Sequence, residues 1–453
     1  MPSVPVFIFF VLLLTTHIPN GMAQTSSPKP ELKARQGIPI GTTATSPDGS
    51  LTITLAARLQ HYNPHPRDPR DHYDPEIQSP KSAKFLPGGK KAYVNSLEGS
   101  VTAVYDPVSL RRIGAIAHRF NAGNSALISS QNAFDYSFIN PPEGNVNYFA
   151  GKPVEMEFTH GGRYLWVSYY RRSYDKYSLD PSAVAVIDTS SDAIVKVLPA
   201  GPIPKYLAAS PDGKWLAMIH WGDNTVGFVD VSSAPERFAL SHLVTVQTRL
   251  NLRKLKRSKN LDRDKTCGYC LRGAVFTPDS KYLLVGRLSG GGIAVINVPQ
   301  KRYVGTVLGM QPTPRHLVMG SDGKTLFVGS NVGGYVSKFN LNELLEAASS
   351  TMSHHISPEA ENHVGYGVRT IALSPDERWV YAAVNGESEL AVLRADDLSS
   401  AVKIPVDSFP VGLAASPDGK QVWVTSQGRN LKGGNSVSIY SILASTGSSP
   451  HKP

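Results

Sequence analysis

Residues 201–230 read GPIPKYLAASPDGKWLAMIHWGDNTVGFVD, and this stretch decides the fold. A run of small apolar residues, Tyr206-Leu207-Ala208-Ala209, enters Ser210-Pro211-Asp212-Gly213. Pro supplies a fixed φ, Asp a local side-chain hydrogen bond and Gly a permissive φ, which together make a tight hairpin turn. A β-rich strand follows at Trp215–Ile219, and a third at Val226–Asp230. Three antiparallel strands in thirty residues, the first with small side chains, describe most of one propeller blade.

The unit recurs. Copies of the turn begin at Leu86 (LPGGK), Thr159 (THGGR), Ser210 (SPDGK), Thr277 (TPDSK), Gly320 (GSDGK), Ser374 (SPDER) and Ser416 (SPDGK). Their spacings are 73, 51, 67, 43, 54 and 42 residues, so the bare unit is near 42 and the longer intervals hold insertions. A period of about 40 to 45 residues with four strands is the mark of a propeller. The expected fold is therefore all-β, a seven-bladed β-propeller with four-stranded blades. The last copy runs out of strands after Ser436–Ile442, whereas Leu51–Leu59 (LTITLAARL) lies before the first blade without a partner. Pairing the two closes the ring with an N-terminal strand and covers an exposed edge. The SPDG at Ser46–Gly49 is then expected to be a look-alike, since no first strand of a blade precedes it.

The pattern G-x-x-P-x-x-L-A-x-SPDGK, then W/L-x-V, then x-V-x-V-ID, is clearest at Gly201–Asp230 and Gly309–Phe339. It resembles the exported YncE-like YVTN-repeat propellers over about residues 45–442. The resemblance implies the fold and leaves several roles open. Some such propellers resemble lactone hydrolases. Others are components of periplasmic oxidoreductases holding haem, quinone or copper, and YncE-like members are described mainly as binding proteins, with single-stranded DNA among proposed ligands. Fold alone does not choose among these roles.

Val4–Leu14 is almost wholly apolar and Gly21-Met22-Ala23 offers small residues before Gln24, the pattern of a signal peptide over residues 1–23. Residues 24–44 are expected to be a flexible mature N-terminus and 443–453 a flexible tail, around a propeller at 45–442. Eleven apolar residues are too few to span a bilayer, so no transmembrane segment is expected after cleavage, and the protein is read as periplasmic or secreted. The chain carries 46 Lys and Arg against 36 Asp and Glu, a formal charge of +10, none of it in residues 1–23. That excess favours anionic partners: a phosphorylated or carboxylated small molecule, an acidic glycan or single-stranded nucleic acid. A protein partner on a flat face is a further option.

Cys267 and Cys270, the only two cysteines, form C-x-x-C. Leu271 stands where covalent haem attachment needs His, and structural zinc needs two more ligands, so a local disulfide is the expected state. His61–Glu76 (HYNPHPRDPRDHYDPE) gathers three His, three Asp and one Glu, types that suit zinc, copper or iron. Its prolines set no convergent register, so it is read as a solvated stiff loop and no metal site is assigned. His354, His355 and His363 are read likewise. No cofactor can be named. Arg249–Lys265 (RLNLRKLKRSKNLDRDK) is basic but has no interleaved aromatics, and is expected to be a solvated face.

Alignment of the seven turns exposes a stronger signal. Five residues before each stands Lys81, Val154, Lys205, Arg272, Arg315, Arg369 and Val411, five of them cationic. In a propeller this register opens the innermost strand, so the seven positions ring one channel mouth. The loops after the second strands open on the same face and carry Tyr169, Arg171, Arg172, His220, Trp221, Arg287, Asn331, Asn385 and Arg429. Converging like charges require an anion or acidic neighbours, and Glu155 is the one acid near the register. The preferred ligand-binding set is Lys81, Lys205, Arg272, Arg315, Arg369, His316, His220 and Arg287. The leading reading is a binding propeller whose cationic mouth holds an anion. Alternatives are a propeller enzyme, lactonase-like or an oxidoreductase component with His220 and His316 as acid-base or ligand groups, and a cell-surface interaction scaffold.

Overall fold

The Ser-Pro-Asp-Gly copies fold alike because their chemistry is local. In the computed structural model, Ser210 Oγ donates to Asp212 Oδ1 at 2.5 Å, the same carboxylate accepts Lys214 N at 3.1 Å, and Ser210 Oγ accepts Trp215 N at 2.9 Å. Gly213 closes the turn at φ +72°, a conformation that a side chain disfavours. The same three bonds recur from Thr277, Ser374 and Ser416. The structure describes residues 35–129, 145–255, 258–350, 354–428 and 433–445; the expected signal peptide lies outside them.

These turns join the first two strands of each blade, and seven sheets result, antiparallel but for the short strand Asp71–Tyr73, which runs parallel to Leu51–Gln60. The inner strands are Pro80–Phe85, Phe149–Thr159, Pro204–Ala209, Leu271–Phe276, Pro314–Met319, Val368–Leu373 and Pro410–Ala415. Blade three shows the plan: Pro204–Ala209, Trp215–His220, Thr225–Asp230 and Ala239–Thr245 lie side by side in that order. The ring closes as the sequence implies. Leu51–Gln60 pairs antiparallel with Ser436–Ala444, Leu51 opposite Ala444 and Gln60 opposite Ser436, and becomes the fourth strand of blade seven. Its Leu51, Ile53 and Leu55 are fully buried against Trp379 and Tyr381 of blade six.

Two local features add to this plan. The first SPDG is a look-alike: Thr43–Thr45 pairs with Leu51–Gln60, so Ser46–Gly49 turns a hairpin on the outer edge of blade seven, not at the channel. A helix, Leu341–Ser349, interrupts blade five before its outer strand Ala360–His363. Asn340 caps it by accepting Asn342 N at 2.9 Å, and Leu341, Leu344 and Ala348 turn inward at helical spacing.

Candidate functional site

Every inner strand carries a β-bulge at the aligned register. Pro204 lies opposite His220 and Tyr206 opposite Ile219, so Lys205 is the extra residue in blade three. Corresponding shifts fall at Lys81, Arg272, Arg315, Arg369 and Val411, and in blade two at Val154 and Glu155. A bulge kinks the strand and re-aims its side chains. Here it turns residues of the bulge toward the axis. Arg272 of blade four reaches Glu155 of blade two at 2.5 Å, and Tyr206 of blade three bonds His316 of blade five at 3.0 Å. Contacts that skip a blade require side chains converging on the central channel. Gly273 makes room for this: a Cβ there would lie 2.5 Å from the Arg315 carbonyl oxygen and 2.8 Å from His316 Cα.

The structure brings the five cations into one another's fields. Lys81 is pushed well below the ordinary lysine pKa by burial and by the charges of Arg272, Arg369, Arg315 and Lys205. Its Nζ donates to Gln427 Oε1 at 3.0 Å. Lys205 pairs with Asp264 at 2.9 Å and stands 3.7 Å from the Trp221 ring centroid and 5.2 Å from that of Tyr170. Burial lowers its pKa to about 7 against the pull of Asp264, with Arg272 and Arg315 adding to the depression. Arg272, bonded to Glu155, also donates to the Lys205 carbonyl.

Arg315 differs from Lys81, Lys205 and Arg272. It is only 5% exposed, its Nε has no hydrogen-bond partner, and among the described residues no carboxylate forms an ion pair with it. Burial, then Arg369 and Arg272, hold its pKa well below the arginine norm. Beneath it, burial, Arg272, Arg315 and Lys84 lower His316 to about 3, so the imidazole is neutral. Its Nδ1 is buried without a partner. Burial, then Glu155 and Glu157, push the Tyr206 phenol upward. Glu157 itself pairs with Lys84 at 2.5 Å.

His220 and Arg287 have other partners. His220 is fully buried, its Nε2 accepting Gly201 N at 3.0 Å and its Nδ1 bonded to Thr225 Oγ1 at 2.8 Å. Arg287 stacks 4.0 Å from the Tyr269 ring and donates to Thr306 Oγ1 at 2.7 Å. Tyr169 is buried against His118, while Asn331 and Asn385 donate to the Val368 and Pro410 carbonyls that open the next inner strands. Arg429 lies outside the described residues.

Asp264 was not foreseen. It sits inside the run read as basic and solvated, whose Arg263 instead docks on blades two and three. Arg263, 5% exposed, donates to the carbonyls of Ser178 at 3.1 Å, Gly222 at 2.7 Å and Thr266. Cys267 and Cys270 are joined as a disulfide, packed with Ile203 and Trp221. The one clue in the sequence is an acid three residues before that clamp. The acids of His61–Glu76 serve the fold: Asp71 pairs with buried Arg58 at 2.7 Å and Asp74 with Arg112 at 2.9 Å. Among the described residues no group of three or more His, Cys, Asp or Glu is placed to hold a metal.

The profile of the family described as "Lactonase, 7-bladed beta-propeller" matches residues 182–449, more than half of the chain. The chain belongs to this family. Beyond it, this lactonase-family propeller is similar to hydrazine synthase of Kuenenia stuttgartiensis (15% identity, TM-score 0.55, 85% of this chain and 99% of that one). It is similar to the Cps50 (Swd1) β-propeller domain of Myceliophteria thermophila (11%, 0.56, 81% and 97%) and to a chain of the mitotic checkpoint complex (11%, 0.56, 95% and 100%). At these identities the likeness is one of fold alone. No curated protein matches the family member described here.

Proposed function

We propose that the bulge ring binds a small anion, carboxylated or phosphorylated, at the mouth of the channel. The observation that carries this reading is Arg315, a guanidinium enclosed by the fold, repelled by Arg272 and Arg369 and left without an acceptor on Nε. A buried charge of this kind is stable only with a partner, and its planar fork suits carboxylate or phosphate oxygens. Asp264 and its docked insertion put a carboxylate at the mouth, which favours a small molecule over single-stranded nucleic acid or an acidic glycan. Kinship with the exported YncE-like YVTN-repeat propellers belongs to the same reading, supported by the SPDGK repeats. The disulfide is compatible with export, and among the described residues no helix is long and apolar enough to cross a membrane.

Lactone hydrolysis is the second reading, favoured by the family match and by the Tyr206–His316 pair beside Arg315. In it a neutral His316 accepts a proton from water attacking the lactone carbonyl, Arg315 stabilises the oxyanion, and the ring opens to a hydroxy acid.

Calorimetric titration of phosphate, citrate, acidic oligosaccharides and single-stranded DNA tests the first reading against Arg315→Ala/Arg369→Ala. Charge-assisted hydrogen bonds worth roughly 1.5–3 kcal/mol each predict a loss of about 10²-fold or more in the double variant. Binding should also weaken as salt rises. No binding by any anion, or equal binding by the variant, refutes the site and advances the scaffold alternative. Turnover of a lactone panel that Tyr206→Phe and His316→Ala abolish supports the enzyme.

A further inference from the structure

Asp264 occupies a position that a strand-borne acid cannot. Glu155 rises from an inner strand and its side chain is 18% exposed, held by Arg272. Asp264 instead arrives over the mouth on an insertion, and its side chain is 71% exposed while the preceding Arg263 is pinned by three carbonyls. The backbone is therefore fixed and the carboxylate has room to turn. It touches Lys205 and lies in the field of Lys81 and Arg315, which hold its pKa down together with that contact. It forms no ion pair with Arg315, whose Nε stays without an acceptor.

Resting on the anion-site reading, we infer that Asp264 is a resident carboxylate that stands in the ring until an incoming anion displaces it, and so sets the affinity threshold of the site. The Asp264 end of the pair is the exposed one, so the carboxylate is rehydrated as it leaves and the cost of displacement falls. Lys205 keeps its place when the carboxylate swings away, because the faces of Trp221 and Tyr170 flank its ammonium. The incoming anion supplies what Asp264 does not, an acceptor for Arg315. Anions with one weak charge compete poorly with a tethered carboxylate. Those presenting two or more acidic oxygens to Lys205 and Arg315 together displace it.

The sign of the mutational effect separates this role from a supporting one. The charged groups facing Lys205 are Asp264, Arg272, Arg315 and Lys81, so Asp264 alone among them favours its proton. Asp264→Asn removes the competitor but loosens that proton. The expected gain in affinity for citrate and phosphate is about three- to tenfold near pH 6, below the wild-type Lys205 value of about 7, and it shrinks near pH 8. Lys205→Met weakens both probes. Asp264→Ser, a second exposed-site variant, must follow Asp264→Asn. Calorimetry at the two pH values decides. If wild type binds and the Asp264 variants bind equally or more weakly near pH 6, the displacement role is wrong while the anion site stands. If neither wild type nor variant binds either probe, the anion site fails and this inference with it.

Discussion

Arg315→Met should make the empty protein more stable and the ligand-binding protein worse. Methionine keeps the length and flexibility of the side chain and removes its charge. In the native fold Arg315 is 95% enclosed, pressed by the like charges of Arg369 and Arg272, with Glu155 and Asp264 offsetting only in part. Replacing buried charge with an apolar group of similar volume is typically neutral to stabilising by about 1–4 kcal/mol. At about 2.1 cal/mol/K of unfolding entropy per residue, a chain of roughly 400 ordered residues gains only about 1 °C per kcal/mol. The expected rise in Tm is therefore about 1–5 °C in a zwitterionic buffer free of phosphate and citrate. Ligand reverses the ranking of responses. A probe at ten times its Kd stabilises wild type by about 1.4 kcal/mol, a shift of roughly 1.5 °C, whereas Arg315→Met should not respond. Differential scanning calorimetry with and without citrate measures both. A variant that melts several degrees lower without ligand, or that citrate stabilises as much as wild type, refutes the argument that Arg315 is held in a strained electrostatic state for an anion.

Alkylation of unreduced protein should leave Cys267 and Cys270 unlabelled in intact-mass spectra; two labelled thiols contradict the clamp at the base of the insertion. Leu55→Ala, within the closing strand, should lower stability by about 2–5 kcal/mol in denaturant titration, since it opens a cavity against the core of blade six. Removing residues 24–60 should do more, by exposing Ser436–Ala444 as an edge. Acid stability should follow the buried histidines: burial lowers His118 and His316 to about 3 and His220 to about 4. Below their unfolded pKa near 6.5 the denatured chain binds protons that the fold refuses, so stability should fall progressively from about pH 6.5 toward pH 3–4. His220→Gln, which keeps a polar group opposite Thr225 without that proton, should flatten part of the slope.

The blades were readable because a turn is decided within five residues: Ser210, Asp212 and Trp215 hold one another whatever surrounds them. The cationic register was readable for a related reason, since one residue per blade at fixed distance from that turn lands at one height on the axis. What stayed hidden depends on contacts far apart in sequence. Asp264 reaches Lys205 only because Arg263 finds carbonyls at Ser178 and Gly222, 85 and 41 residues away. His220 was assigned to the cationic mouth, whereas its imidazole is fully buried on Gly201 and Thr225. Sequence spacing alone does not say which way a strand end turns when a bulge sits on the neighbouring strand. The helix at Leu341–Ser349 had a local signal, Asn340 before Leu341, Leu344 and Ala348, that the repeating strand pattern obscured.

The bulge explains how one fold tolerates so much charge at its axis. A regular inner strand alternates side chains between its two faces, which suits packing against neighbouring blades. An extra residue at its entry frees a position from that alternation, and five blades use it for Lys or Arg while blades two and seven place Val154 and Val411 there. The blades themselves remain apolar and well packed, so the electrostatic conflict is confined to one layer. Within that layer compensation is uneven. Glu155 answers Arg272 and Asp264 answers Lys205, and both stand on one arc, blades two to four with the insertion between three and four. Arg315, in blade five, receives only their distant fields. Local rules broken without compensation mark functional positions more often than accidents. At Arg315 charge, burial and a missing acceptor on Nε coincide with the like charges of Arg369 and Arg272.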